Sequence, residues 1–232
     1  MSWWYPPILA YHRVDPSAGG DTPTVSPSVF EKQMSIISRY WNPISLEEWV
    51  HNRQKGLPFQ KGRVAVTFDD GSGDLYLYAY PVLRKHKIPA TVFLIVSNIG
   101  KPGWLQPDQI RQMAAGGISF GSHTIHHAYL PSLPREKIRE ELSGSKKELE
   151  SMGIQARFLS YPGGGFNPEI QCMAAGAGYE AACTTNRGLR RQPVDLWAIR
   201  RIAIHENSRT PFDFWIRCRG YYGLNRRLRS PS

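Results

Sequence analysis

The sequence predicts an α/β fold with a mostly parallel sheet, because short apolar, β-branched runs recur along the chain and amphipathic segments with helix-start signals fall between them. A length of 232 residues suits one such core and not several. Strands are expected over residues 8–14, 63–68, 90–95, 118–121, 158–161, 181–185 and 199–204. Ser26-Pro27 opens a helix on which Phe30, Met34 and Ile37 recur at helical spacing, with proline at the tolerated first position. Ser45 with Glu48 three residues on is a capping box, and Gly56 closes that helix. Residues 134–152 carry Glu and Lys at helical spacings, which suits an exposed helix ended by Gly153. Residues 15–24 and the basic tail from Tyr221 are expected to be weakly structured, which divides the chain into a domain over residues 1–220 and a tail over 221–232.

Composition excludes several classes. Hydrophobic residues make up 41% and aromatics 12%, enough to bury a core, so a disordered chain is excluded. No stretch approaches the ~20 apolar residues of a membrane-spanning helix, and residues 1–7 have neither the basic nor the apolar region of a secretory leader. The three cysteines, Cys172, Cys183 and Cys218, form no close pair, and each reads as a buried, reduced thiol. The net charge of +10 is lopsided, since residues 186–232 hold eleven Arg, no Lys and only Asp195, Glu206 and Asp213. That basic C-terminal stretch suits a peripheral contact with an anionic surface. With no nucleic-acid motif beside it, no specific nucleic-acid partner is expected.

Three local patterns carry chemistry. In the first, a buried strand, Val64-Ala65-Val66-Thr67-Phe68, runs into Asp69-Asp70-Gly71. Paired acids at the C-terminal end of a strand stand where α/β folds build their sites, and alternation sends the two side chains apart, one suited to a metal and one to a base. In the second, Gly121-Ser122-His123-Thr124-Ile125-His126-His127, the histidines His123 and His127 stand at i, i+4. On a helical turn that spacing stacks both imidazoles on one face, close enough to share a divalent ion, with His126 the competing ligand. Joined to Asp70, they make a two-His, one-carboxylate set that leaves positions open for water. The third is His12, near the end of the first strand, which by itself says little.

The Thr-Phe-Asp-Asp-Gly block, the His-Thr-x-x-His block and Pro89-Ala90-Thr91-Val92-Phe93 between them resemble the polysaccharide deacetylases of the NodB-homology family. More narrowly, Tyr11-His12-Arg13-Val14, Ser122-His123-Thr124 and Ile199-Arg200-Arg201-Ile202 resemble the branch acting on poly-β-1,6-N-acetylglucosamine, in which the motif order is permuted. The resemblance implies a distorted (β/α)7 barrel and a divalent metal, zinc by default with cobalt, nickel or iron able to replace it, on Asp70, His123 and His127. It further implies Asp69 as general base and His12 as general acid, with His205 the second candidate for the acid. Where the family usually places Pro-Tyr-Gly, this chain has Tyr161-Pro162-Gly163-Gly164, so Gly163, through its N–H, and Tyr161 are the substrate-contacting positions expected there. The arginine that usually tethers the base is missing from that loop, and Arg200 and Arg201 are both candidates to replace it.

The expected activity is therefore metal-dependent hydrolysis of N-acetyl groups on an N-acetylglucosamine polymer, releasing acetate and a free amine. Deacetylation of chitin or peptidoglycan, and a non-catalytic basic protein that binds polysaccharide, are the competing readings. Because such polymers lie outside the membrane, an extracytoplasmic location follows from the substrate and not from a signal in these residues.

Overall fold

The computed structural model describes residues 5–17, 23–185, 195–206 and 210–218. Its main sheet is parallel throughout. From one end it runs Ile199–Arg200, Ala181–Thr184, Phe158–Ser160, Ile118–Ser122, Ala90–Leu94, Arg63–Phe68, Ile8–Tyr11 and Ile202–Ala203. The first and last of these belong to one stretch of chain. Ile199 pairs with Cys183, and Ile202 pairs with Leu9, so residues 199–203 join the two ends of the sheet and close a barrel of seven strands. The sequence reads residues 199–204 as one strand, whereas the structure interrupts it at Arg201, where the chain leaves Thr184 for its new partner. The predicted strand over residues 8–14 is likewise interrupted at His12, after which Arg13–Val14 pairs with Thr24–Val25.

Parallel strands covered on both faces need apolar residues on both, which explains their near-continuous hydrophobic runs. Outward-facing Leu9, Val64, Val66, Phe68, Val92 and Phe120 join one large core with the helix Pro27–Tyr40, whose Phe30, Met34 and Ile37 are buried as their spacing requires. Inward-facing Ile8, Ala65, Phe93, Phe158, Ala181, Cys183 and Ile199 fill the barrel together with Trp49, from the helix Leu46–Gln54. Ser45 caps that helix by accepting the Glu48 N–H at 3.0 Å. Gly121 is obligatory for packing, because a Cβ there would stand 2.8 Å from the Phe93 ring and 2.7 Å from the Phe158 carbonyl oxygen.

Period-two alternation carries this inward face upward to the C-terminal mouth. Two or four residues beyond the apolar filling, the same parity brings His12 after Ile8, Asp69 after Ala65, His123 after Gly121, Ser160 after Phe158 and Arg201 after Ile199. A polar layer thus sits directly on an apolar plug. The helical segment over residues 135–151 contains a π turn, Glu140–Gly144. It is not simply exposed as its charge pattern suggests, because Ile138, Glu141, Leu142, Ser145 and Leu149 are buried. Cys172 is exposed, contrary to the expectation for it, while Cys183 and Cys218 are buried free thiols. No helix among the described residues is long and apolar enough to cross a membrane. Residues 221–232 and most of the basic arginines lie outside the described residues.

Candidate active site

Asp69 and Asp70 leave the end of the Arg63–Phe68 strand in different directions. Asp69 continues into the barrel and is 2% exposed. Arg201 grips it with two parallel hydrogen bonds, Nη1 to Oδ1 and Nη2 to Oδ2, both 2.7 Å. Arg201 also donates to Ser160 Oγ at 2.7 Å and Thr67 Oγ1 at 3.1 Å, and its guanidinium lies over the Phe93 ring. Of the two candidate tethers, it is Arg201 that binds Asp69, and Ser160, just before the loop that lacks the arginine, is one of its acceptors. Burial alone would raise the Asp69 carboxyl, but the charges of Arg201 and the neighbouring histidines, with the Arg201 hydrogen bonds, hold it well below the usual carboxylate range.

Asp70 adopts a left-handed backbone, φ 73°, followed by Gly71 at φ 80°, and this turn swings its side chain toward the neighbouring loop. That loop, residues 123–127, is not the helical turn expected from the i, i+4 spacing. Thr124 (φ 65°) and His127 (φ 58°) are left-handed, which is costly for a β-branched threonine and persists only because the surroundings fix it. Thr124 Oγ1 accepts the His127 N–H at 3.1 Å, and Ser122 Oγ accepts the Thr124 N–H at 3.1 Å. The folded-back loop brings the two imidazoles together, with ring centroids 4.8 Å apart and His123 Nε2 and His127 Nε2 at 3.4 and 3.6 Å from Asp70 Oδ1.

The tautomer of His123 follows from its partner. Nδ1 lies 2.7 Å from the Ser160 carbonyl oxygen, which can only accept, so Nδ1 carries the proton and Nε2 faces Asp70 with a lone pair. Asp70 Oδ1 is buried with no hydrogen-bond partner among the described residues. Lone pairs converging without a proton between them are balanced by a cation. Separations of 3.4 and 3.6 Å match the edge of a tetrahedron whose legs are the ~2.0–2.2 Å of metal–nitrogen and metal–oxygen bonds. Asp70, His123 and His127 thus fit a divalent ion.

His126, the rival ligand, turns away: its Nδ1 lies 2.7 Å from Glu141 Oε1. The other oxygen of Glu141 accepts the N–H groups of Ile125 and His126 at 2.8 and 3.0 Å, so one buried carboxylate from the π turn holds the whole loop. Glu141→Ala is expected to lower divalent-ion affinity by about tenfold and to cost about 1–3 kcal/mol of stability by stranding two N–H groups, read by metal titration and thermal unfolding. Sequence reasoning passed over Glu141 because it sits among surface charges. The signal was the apolar spacing of Ile138, Leu142 and Leu149 around it.

His12 and His205 each follow closely on a strand of one pair, in which Ala10 pairs with Ala203 and the Ile204 N–H donates to the Ala10 carbonyl oxygen, so both stand at the same end of the barrel. His12 also neighbours Asp69 across the Ile8–Tyr11 and Arg63–Phe68 pairing, and its Nδ1 is buried without a hydrogen-bond partner among the described residues. Gly163, at φ 61°, lies on the rim in the turn after Phe158–Ser160. Tyr161 does not reach that rim. Its ring is 1% exposed and stacks on Phe166 at 5.3 Å, so the side chain expected to touch substrate belongs to the core. The Gly71-Ser72-Gly73-Asp74 segment is pinned by a bridge to Trp104 and by Asp74, which binds Arg13 Nε, the Val14 N–H and Ser72 Oγ.

Residues 56–182, more than half the chain, match the family model described as polysaccharide deacetylase. The chain belongs to the polysaccharide deacetylase family. As a member it is a hydrolase of amide bonds. This deacetylase is 34% identical over 201 residues to YxkH of Bacillus subtilis (strain 168), whose name carries the same family, covering 85% of this chain and 71% of that one. It is 30% identical over 162 residues to the poly-β-1,6-N-acetyl-D-glucosamine N-deacetylase of Staphylococcus aureus, covering 63% of this chain and 56% of the other. Its fold is similar to that of the deacetylase PplD of Streptococcus pyogenes in complex with acetate, with a TM-score of 0.83, 28% identity and coverage of 90% and 96%. The (β/α)7 barrel of the NodB type expected from the motifs is the fold found here.

Proposed function

We propose that this deacetylase removes N-acetyl groups from a poly-β-1,6-N-acetylglucosamine-like polymer, using a divalent ion, zinc by default, held by Asp70, His123 and His127. The observation that carries the reading is the convergence of those three donors beside a carboxylate, Asp69, that Arg201 keeps charged and aimed. A divalent ion bound there polarises the acetyl carbonyl and lowers the pKa of nearby water. Asp69 orients the attacking water and accepts its proton. Held so acidic, it is a weak base and depends on that water being acidified. The Gly163 N–H donates to the carbonyl oxygen as negative charge grows on it. His12 delivers a proton to the sugar nitrogen as the C–N bond breaks, releasing acetate and the amine. His12 is favoured over His205 because it adjoins Asp69 directly and its charge acts on both Asp69 and Asp70.

The β-1,6 linkage is favoured over chitin and peptidoglycan by the N-terminal position of His12 and by the relative in S. aureus. An extracytoplasmic site of action follows from such a substrate. The test is acetate release from acetylated glucosamine oligomers of β-1,6 and β-1,4 linkage and from peptidoglycan. We expect release from the β-1,6 series, loss with a chelator and recovery on adding back zinc. Acetate release that survives full chelation would overturn the metal dependence, and preference for the β-1,4 series would overturn the linkage.

A further inference from the structure

Tyr129 stands two residues after His127 with its side chain on the surface, 54% exposed, and it is one of few large aromatic rings left so open among the described residues. Its backbone is not loose: the Tyr129 carbonyl oxygen accepts from the Ser132 N–H at 3.0 Å and from Ser132 Oγ at 2.8 Å, and the next residue, Leu130, is fully buried. The ring leans on the turn that follows the Phe158–Ser160 strand. A Cβ at Gly165 would lie 2.2 Å from Tyr129 Cε2, and one at Gly163 would lie 3.4 Å from Cδ2.

These glycines have different causes. Gly163 and Gly164 have φ of 61° and 71°, a backbone that favours glycine by itself. Gly165 does not: at φ −81°, ψ 125° it is ordinary extended backbone open to any residue. What excludes a side chain at Gly165 is the Tyr129 ring, which occupies the space its Cβ would need. Gly163 and Gly165 therefore form a seat for an aromatic ring delivered by the neighbouring loop, whereas Gly164 faces Thr185.

We infer that Tyr129 is a sugar-positioning residue, whose exposed ring lies against the face of a pyranose unit next to the one being deacetylated. A tyrosine suits this because it offers a rigid apolar body with a polar tip at low conformational cost. Tyr129 follows the proposed ligand His127 by two residues and its ring leans on Gly163, the proposed oxyanion donor, so a polymer that reaches both positions meets the ring. This inference rests on the polysaccharide reading above but not on the linkage.

The test is binding and turnover of N-acetylglucosamine oligomers of one to five units by metal-loaded wild type, Tyr129→Ala, Tyr129→Phe and Gly165→Ala. With oligomers of three or more units, Tyr129→Ala is expected to weaken binding and raise KM by about five- to tenfold, leaving kcat within about twofold. Tyr129→Phe keeps wild-type values. Gly165→Ala, which retains the ring but unseats it, shifts KM in the direction of Tyr129→Ala. The penalty disappears on the single sugar, which a merely structural loss would not allow. Equal affinities for wild type and Tyr129→Ala, or the same penalty at every length, would overturn the proposal. Calorimetric binding reads it separately from catalysis: wild type that binds the oligomers without releasing acetate defeats the activity, and only a binding loss in Tyr129→Ala sustains the subsite.

Discussion

Asp70→Asn is expected to remove stoichiometric divalent-ion binding and to lower acetate release by about 10³-fold or more, because a Lewis acid supplies several kcal/mol of transition-state stabilisation and each ~1.4 kcal/mol is tenfold in rate. The amide is nearly the shape of the carboxylate, so the left-handed turn at Asp70 and Gly71 survives and the loss is one of charge. The metal-free site also sets the pH dependence. Burial and the adjacent Asp69 charge push the Asp70 carboxyl up to about 6, whereas burial, more than any neighbour, pushes His123 down to about 4. At pH 7 the carboxylate is therefore ionised and the His123 imidazole neutral, both in the form a cation takes. Below about pH 6 a proton on Asp70 competes with the ion, and apparent affinity falls by up to about tenfold per pH unit. Metal titrations at pH 5 and 7 check this. Affinity that stays level across that interval, or an Asp70→Asn protein that retains both ion and activity, would remove the proposed centre.

Much of this site was legible because strand parity is a local rule. Asp69 and His123 lie inward for the same reason as Ala65 and Gly121, and a reader who places the strands has placed those side chains. The helix caps were legible for a similar reason, since Ser45 and Gly56 act within a few residues of themselves. What alternation could not supply is the path of chain outside a strand. The i, i+4 spacing of His123 and His127 suggested a helical turn, but two left-handed residues bring the rings together. The cause is the Glu141 carboxylate and the Ser122 and Thr124 hydroxyls, and Glu141 lies fourteen residues beyond His127 on another element. Tyr161 was misread for the opposite reason. Its motif position pointed to substrate, but its ring stacks on Phe166, five residues on, within the core. Barrel closure is the least local event, and it alone distinguishes Arg201 from Arg200: the first falls where the chain changes sheet partner and points inward, and the second is exposed.

That closure makes Arg201 the residue whose loss should cost the fold most. Arg201→Met fills similar space but leaves Asp69 charged, buried and unpaired, and removing one partner of a buried ion pair costs about 3–5 kcal/mol. The sign of the pH dependence follows from the direction of the Asp69 shift. A carboxyl held below its unfolded value of ~3.9 contributes its full stabilisation above that pH and loses it as pH falls through the folded value. In the variant, burial without the guanidinium raises Asp69, so the gap between wild type and variant is widest near neutrality and narrows in acid. Urea unfolding of the metal-free proteins at pH 7 and pH 4 reads that gap. Activity should fall with it, since a protonated or misdirected Asp69 can neither orient water nor accept its proton. Arg201→Lys restores charge but not the two parallel bonds, and is expected to recover most of the stability and only part of the rate. Were the Met variant as stable as wild type at both pH values, the ion pair would be incidental to closure, and the account of why Asp69 stays charged in an apolar barrel would fail with it.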